Sequence, residues 1–352
     1  MFNRWNSPKF LFGESYGTPR TCVLTWLLHE DGVDLNGIVL QSAILDYAQA
    51  SNPVGLLPTL AADAWFHHKV TVSPAPADLP SFMQQVADFA RGPYVEALAK
   101  YWNRAWTWKS EAEVIEEFKQ AGVEAMLVAF DIESVTGAPP CTNEYVAKLR
   151  DKHPGVIRQA WGAVDPLKGA QAIEDAKRAI EESKLFGFHF HPIMGHFSVD
   201  ERKLYPLWET INALKVPVMI DVGTTGMGAG MPGGLGAVIR HAHPAAIDQL
   251  AADFPELNIV AAHPGWPWTE EMLAVALHKG NVSWELSGWA PKYFPEALKR
   301  DIKGRLKDKI MFGSDYPSIP YDRIFKEWKE LAYSDDLMEK LFHQNAERIL
   351  GL

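Results

Sequence analysis

From about residue 112 onward, short apolar segments alternate with amphipathic helical segments. This alternation is typical of parallel strands joined by crossover helices, and it predicts an α/β fold. Seven strands are predicted, over residues 124–132, 156–164, 185–191, 217–222, 258–263, 282–286 and 309–314. Helices are predicted over 111–121 and 170–182, where apolar residues share one face. A (β/α)8 barrel fits this order of elements but needs an eighth strand.

Most of the seven segments end in a polar residue or a turn. Side chains at the carboxyl ends of parallel strands converge on one mouth of such a barrel, where its chemistry is found. Among these ends we single out four residues with imidazole or carboxylate groups as the candidate site: His191, Asp221, His263 and Asp315. Together these groups suit zinc, manganese or a similar divalent ion that activates water or polarises a carboxylate. Each residue alone also fits a capping or loop role.

Composition narrows the class of ligand. The 352 residues carry a net charge of -10 and are 47% hydrophobic, which indicates a globular protein and disfavours nucleic acid as a partner. Cys22 and Cys141 are too few for a disulfide framework and fit a reducing compartment. The start "MFNRWNSPKF" lacks the build of a signal peptide, and no apolar run approaches a membrane span. We expect a cytoplasmic protein that binds a small molecule and no membrane.

The rear of the chain resembles a known family. Its motifs are "GFHFHP" at 187–192, "DVGTTGMGAGMPGG" at 221–234, "NIVAAHPGWPW" at 258–268, "NVSWELSGWAP" at 281–291 and "FGSDYP" at 312–317. Over about residues 104–352 the chain is similar to the amidohydrolase superfamily, in the branch that contains aminocarboxymuconate-semialdehyde decarboxylase. That resemblance implies a TIM-like barrel with a divalent metal, held by a His-x-His pair on the first strand, a histidine on the fifth and an aspartate on the eighth.

The resemblance assigns roles to several residues. It makes Asp315 the eighth-strand metal ligand and His263 the histidine that orients water or donates a proton beside the metal. Asp221 stands where the family has its fifth-strand histidine, so Asp221 and His191 are expected to assist in metal binding. The first-strand His-x-His is missing, because such pairs occur only at 189–191 and 241–243. The barrel is therefore predicted to lack its usual first strand, and weaker metal binding is expected.

The front of the chain contains a different motif. Residues 13–17, "GESYG", match the G-x-S-x-G pattern of a serine nucleophile, within a predicted βαβ unit over 9–12, 20–29 and 37–45. Residues 3–100 resemble the serine carboxypeptidase family, an α/β-hydrolase fold, which implies that Ser15 is the nucleophile. The family's aspartate and histidine partners are missing, and a serine without a base is a weak nucleophile. Ser15 therefore fits a turn residue better.

These resemblances predict two domains, 1–103 and 104–352. One hypothesis is that segment 9–12 or 37–45 fills the empty first-strand position, since an open barrel exposes unpaired edges. The alternative is a barrel that stays open at one seam.

Further residues are candidates for binding substrate. The glycine-rich segment 223–236 lacks the lysine and the spacing of a phosphate-binding loop and predicts a mobile loop over the barrel mouth. Trp266 and Trp268 are candidates for the walls of a flat or aromatic substrate, although tryptophan also fills cores. Arg240 and His241 are candidates for binding a substrate carboxylate.

The sequence thus predicts a metal-dependent hydrolase or decarboxylase of a small carboxylated or aromatic molecule, with zinc or manganese as its cofactor. Two alternatives remain open: serine-dependent hydrolysis through Ser15, and a fusion product without catalytic activity. The family resemblance is compatible with a homodimer.

Overall fold

The computed structural model describes residues 9–14, 24–25, 27–29, 33, 35–41, 61–62, 64–70, 77–94, 96, 109–137, 139–230 and 232–352. Ser15 and Cys22 lie outside the described residues. The chain divides into two compact units, of which one comprises Met1–Trp108 with Gly137–Pro139 and the other Lys109–Thr136 with Pro140–Leu352.

The first unit contains a two-stranded parallel sheet. Strand β1 (Phe10–Glu14) pairs with β2 (Gly37–Gln41), and the helix Leu79–Arg91 follows. That helix begins where the side chain of Asp78 accepts the backbone N–H of Ser81. In the described residues β1 and β2 pair only with each other. The hypothesis that one of them fills the first-strand position of the barrel is therefore wrong, and the predicted α/β-hydrolase fragment is not shown.

The second unit is built around a curled sheet of seven parallel strands. Each strand pairs with the next one along the chain, so the order in the sheet follows the sequence. The strands are β3 (Ala125–Val128), β4 (Ile157–Gly162), β5 (Gly187–Phe190), β6 (Val218–Asp221), β7 (Ile259–Ala262), β8 (Val282–Glu285) and β9 (Ile310–Met311). All seven lie within the predicted segments, which confirms the α/β prediction.

Helices alternate with the strands. The α-helices of this unit are Glu111–Ala121, Glu133–Thr136, Asn143–Lys152, Ala170–Glu181, Pro192–Gly195, Tyr205–Leu214, Pro244–Asp253, Thr269–His278, Glu296–Ile302, Tyr321–Glu330, Asp335–Glu339 and Asn345–Leu350. Short 3-10 turns occur at Pro166–Lys168, Arg202–Leu204, Pro232–Gly236, Ile239–Ala242 and Pro291–Tyr293, and a π-helical turn at Lys340–Gln344. None of the described helices is long and apolar enough to cross a membrane.

The sheet is covered on both sides, as the apolar character of its strands predicts. All residues of β5, β7 and β8 are buried. Trp208, Trp284 and Trp328 are fully buried in the core around the sheet. This packing fixes the carboxyl ends of the strands, and with them the side chains of the candidate site.

The helix Glu111–Ala121 covers the seam between the first and last strands of the sheet. Its buried residues Ile115 and Phe118 pack against Ala125 of β3, and Phe118 also packs against Tyr316 and Tyr321, which follow β9. The ring centroids of Phe118 and Tyr316 are 5.1 Å apart. The helix therefore contacts both edges of the sheet in the described part of the chain.

Candidate active site

Asp221, the last residue of β6, lies at the centre of a cluster of three histidines. The Nε2 atom of His189 is 3.0 Å from Asp221 Oδ1, that of His191 is 3.5 Å from Oδ2, and that of His263 is 3.5 Å from Oδ1. The histidines come from the two strands on either side, because β6 lies between β5 and β7. The structure therefore brings His191, Asp221 and His263 together as predicted, and adds His189.

The charge of Asp221 is compensated inside the protein. Burial by itself would raise the pKa of this carboxyl, but the attraction of the neighbouring histidines, His189 first, and the hydrogen bond from His189 outweigh it. The pKa of Asp221 is therefore held well below its ordinary value, and the group is a carboxylate.

His191 has the character of a neutral imidazole. Burial lowers its pKa, against the opposing attraction of Asp221. Its Nδ1 accepts the backbone N–H of Met194 at 3.2 Å, so the ring proton is on Nε2. That Nε2 lies 3.3 Å from Thr225 Oγ1 as well as facing Asp221. The ring of His191 is thus fixed on both of its nitrogens.

His263 follows β7 in an unusual backbone conformation. Its φ of 71° is in the left-handed region, which is uncommon for residues other than glycine and persists only where surrounding contacts impose it. One such contact is the indole N–H of Trp284, which donates to the carbonyl of His263 at 2.6 Å. Asp315 also has a positive φ, of 50°. His263 and Asp315, which with Ser15 are the three residues predicted as catalytic, therefore share this strained geometry.

The imidazole of His263 is held in its charged form. Burial by itself lowers its pKa, but the attraction of the Asp221 carboxylate and the hydrogen bond to it, followed by the charges of Glu285 and Asp315, raise the pKa of His263 to about 10. About one-fifth of the side chain is exposed. His263 is therefore a proton donor at neutral pH, and part of its side chain is accessible from the surface.

Gly288 brings His263 and Asp315 to a common point. A Cβ atom at Gly288 would lie 2.8 Å from His263 Nδ1 and 3.0 Å from Asp315 Oδ2. Its φ of 75° also favours glycine. Only a residue without a side chain lets both functional groups approach this closely, so Asp315 belongs to the same site.

A cavity of about 390 Å³ adjoins the cluster. It lies beyond the carboxyl ends of β6, β8 and β9 and combines aromatic and aliphatic walls with one arginine, its lining including Thr225, Gly288, Trp289, Tyr293, Ile319 and Arg323. Two of these residues also touch the cluster, Thr225 at His191 and Gly288 at His263. A small ligand in the cavity would therefore lie next to the histidines.

The predicted substrate-binding residues take other positions. Trp266 is 52% exposed, with its ring 5.9 Å from that of Trp289, and Trp268 packs against His243. Arg240 and His241 lie in a 3-10 turn outside this cavity. Sequence reasoning missed Trp289 and Arg323, which line the cavity in their place. The glycine-rich segment contributes its first residues to the lining, and its mobility stays a prediction.

The described residues do not fit a metal centre. Among them, no group of three or more histidine, cysteine, aspartate or glutamate side chains is arranged to hold an ion. The Nε2 atoms of His189, His191 and His263 face the oxygens of Asp221 instead of a shared vacant point. The assignment of Asp315, Asp221 and His191 as metal ligands therefore stays a prediction.

Comparison with known proteins identifies relatives of the second unit. A family model described as amidohydrolase matches residues 112–352. No protein with a curated description matches the chain significantly. The resemblance of residues 3–100 to serine carboxypeptidases is not supported by these comparisons.

Several solved structures share the fold. An uncharacterized TIM-barrel protein from Bordetella bronchiseptica is 25% identical, with a TM-score of 0.57 over 69% of this chain and 83% of that one. The 5-carboxyvanillate decarboxylase of Sphingomonas paucimobilis is 20% identical, with a TM-score of 0.52 over 84% and 96%. A dihydroxybenzoic acid decarboxylase from a Polaromonas species, with bound manganese and the inhibitor 2-nitroresorcinol, is 17% identical, with a TM-score of 0.52 over 69% and 86%.

Proposed function

The chain belongs to the amidohydrolase family, which makes it a candidate hydrolase or decarboxylase. We propose that it decarboxylates a small carboxylated molecule. The observation that carries the proposal is the position of the His263 imidazole, whose Nε2 lies 3.5 Å from Asp221 Oδ1 and whose Nδ1 lies, with Asp315 Oδ2, against the cavity-lining Gly288. Its raised pKa agrees with this position. A buried imidazolium next to a ligand cavity is a candidate general acid.

Decarboxylation requires such an acid. When the bond to the carboxylate carbon breaks, its electron pair stays on the substrate carbon and CO2 leaves. That carbon then takes a proton, which His263 supplies from Nε2. The Asp221 carboxylate stabilises the imidazolium before the transfer and orients the ring through its 3.5 Å approach to Nε2.

The cavity suits a flat molecule with one negative charge. Trp289 and Tyr293 provide aromatic walls, and Arg323 is the one cationic residue of the lining. Glu327 accepts from Nε of Arg323 at 2.9 Å, while the terminal guanidinium nitrogens have no partner in the described part of the chain. These nitrogens present the paired donors that a carboxylate accepts best. Arg323 therefore replaces Arg240 as the candidate anchor for the substrate.

The Polaromonas decarboxylase contains manganese, and a divalent metal was expected for this chain from its sequence. Since the described residues do not fit one, the chemistry proposed above is assigned to His263 and its neighbours alone. His263 donates the proton and Asp221 orients the imidazole ring in the same way whether or not the enzyme also binds a metal.

The test is an assay of the purified full chain against aromatic acids, including a dihydroxybenzoate and 5-carboxyvanillate, with release of CO2 as the readout. We expect turnover that falls at least about 100-fold in His263→Gln, because general acids contribute about 10²- to 10⁴-fold. His343→Gln, on an exposed turn, is the matched control and keeps full activity. Turnover that survives in His263→Gln would refute the proposal, and turnover that disappears in Ser15→Ala would favour serine chemistry.

A further inference from the structure

A buried carboxyl group lies behind His263, on the side of the ring away from Asp221. Glu285 is the last residue of β8, and only 8% of it is exposed. Within the described residues, no lysine or arginine forms an ion pair with it. Burying a carboxyl group without a cation is unfavourable unless hydrogen bonds satisfy it, so its actual partners indicate what it does.

Both of those partners belong to Ser287. The backbone N–H of Ser287 donates to Glu285 Oε2 at 2.9 Å, and its hydroxyl donates to Oε1 at 2.6 Å. The hydroxyl has thereby given its only proton to Glu285, and its oxygen can then only accept. That oxygen lies 3.0 Å from Nδ1 of His263, and the Ser287 carbonyl lies 3.2 Å from the same atom. Both contacts therefore require a proton on Nδ1.

The backbone is shaped to permit this arrangement. A Cβ atom at Gly313 would lie 2.0 Å from Glu285 Oε2, so the carboxyl group fits only because residue 313 has no side chain. Gly288 leaves room for Nδ1 of His263 in the same way. Glycines on two neighbouring segments thus make room for the line of contacts from Glu285 through Ser287 to His263.

We propose that Glu285, acting through Ser287, is a positioning residue that holds the proton on Nδ1 of His263 and thereby points Nε2 at Asp221 and the reacting carbon. The expected effect of Glu285 on turnover rests on the proposed function. The orienting effect is a property of the folded chain in the absence of substrate. Glu285 is not among the residues that line the cavity, so its loss should change kcat and leave KM unchanged.

The test uses Glu285→Gln and Ser287→Ala in the full chain, with ring-15N-labelled histidine. In Glu285→Gln the new amide donates to Ser287 Oγ, whose hydroxyl proton then turns toward Nδ1. Above about pH 10 the ring of His263 keeps a single proton. At that pH we expect the Nδ1 resonance of His263, assigned by its disappearance in His263→Gln, to lie in the protonated range in the wild-type chain and to move toward the unprotonated range in Glu285→Gln. The turnover number should fall about 10- to 100-fold with little change in KM, as for partners that orient a functional histidine.

Ser283→Ala is the matched control. Ser283 is buried on the same strand, two residues before Glu285, and forms none of the contacts to His263. Ser283→Ala should leave both the Nδ1 resonance of His263 and the turnover number unchanged. Circular dichroism checks each fold, and if Ser287→Ala fails to fold, Glu285→Gln, which keeps the size and shape of the side chain, decides alone.

The outcomes separate this proposal from the function. A shifted Nδ1 resonance in a protein that turns over none of the acids would support the positioning role and count against the proposed function. Wild-type Nδ1 resonances in Glu285→Gln would overturn the positioning role, even if His263→Gln abolishes turnover.

Discussion

The Nε2 atom of His263 lies 3.5 Å from Oδ1 of Asp221, at the carboxyl ends of two strands that are neighbours in the sheet. This contact keeps the histidine charged although burial opposes its charge. In Asp221→Asn the attraction disappears and burial remains. The charges of Glu285 and Asp315 also remain, so we expect the pKa of His263 to fall from about 10 toward its ordinary value of 6.5, measured by NMR titration of the ring. Asp336→Asn, at an exposed position, should leave it near 10, and an unchanged value in Asp221→Asn would contradict the assignment.

The same pair predicts how stability depends on pH. The pKa of His263 is raised in the folded state, so its stabilisation is complete below about pH 6.5 and is lost as pH rises toward 10. The pKa of Asp221 is lowered, so its stabilisation is present above about pH 4 and is lost as pH falls further. Urea unfolding should show the free energy of unfolding declining on both sides of this window. A decline above pH 6.5 that is equally steep in Asp221→Asn would contradict this account.

Gly288 predicts a steric effect on the site. In Gly288→Ala the new methyl group would meet His263 Nδ1 at 2.8 Å and Asp315 Oδ2 at 3.0 Å, in a backbone conformation that alanine adopts reluctantly. We expect turnover to fall at least about 10-fold and the protein to lose about 1–3 kcal/mol of stability. Gly280→Ala is the control, because a Cβ there meets nothing within 4 Å and its φ is not positive. Equal activity of the two variants would show that Gly288 is not needed for the approach of the two side chains.

The sequence was sufficient to predict the seven-stranded sheet and part of the candidate site. Parallel strands buried on both faces are continuous apolar segments, and each of β3 to β9 lies inside one. Strand ends in a parallel sheet meet at one edge, so Asp221, His263 and Asp315 could be brought together from their positions alone. His189 was missed although it lies two residues before His191, on the same face of the strand.

Other parts depend on packing between distant segments. The contact of Ser287 with His263 depends on how closely β8 approaches β7, which no local pattern encodes. The cavity walls Trp289 and Arg323 come from separate segments of the chain, whereas the more conspicuous Trp266 packs beside Trp289 without lining the cavity. The sequence offers β1 or β2 as the first strand of the barrel, but in the described residues these two strands pair only with each other.

Arg323 is expected to set the affinity for the substrate carboxylate. Replacing it in Arg323→Gln removes the charge that faces the cavity, and hydrogen bonds to charged groups contribute about 1.5–3 kcal/mol. We therefore expect KM for an active acid to rise about 10- to 100-fold with a smaller change in kcat. Lys326→Gln, on an exposed face of the same helix, removes an equal charge outside the cavity and should leave KM unchanged. If KM rose by the same factor in Lys326→Gln, the effect would be a general one of charge and not of binding by Arg323.

The stability of the seam between the first and last strands of the sheet is predicted to depend on Phe118. Only 4% of this residue is exposed, and its ring contacts Tyr316 and Tyr321 after the last strand while the helix also packs on the first. In Phe118→Ala the lost packing and the cavity left behind should lower the free energy of unfolding by about 3–5 kcal/mol, measured with urea. Lys119→Ala, exposed on the same helix, should change it by less than about 0.5 kcal/mol. A loss no larger than that of Lys119→Ala would mean that the sheet holds its curvature without the contacts of Phe118.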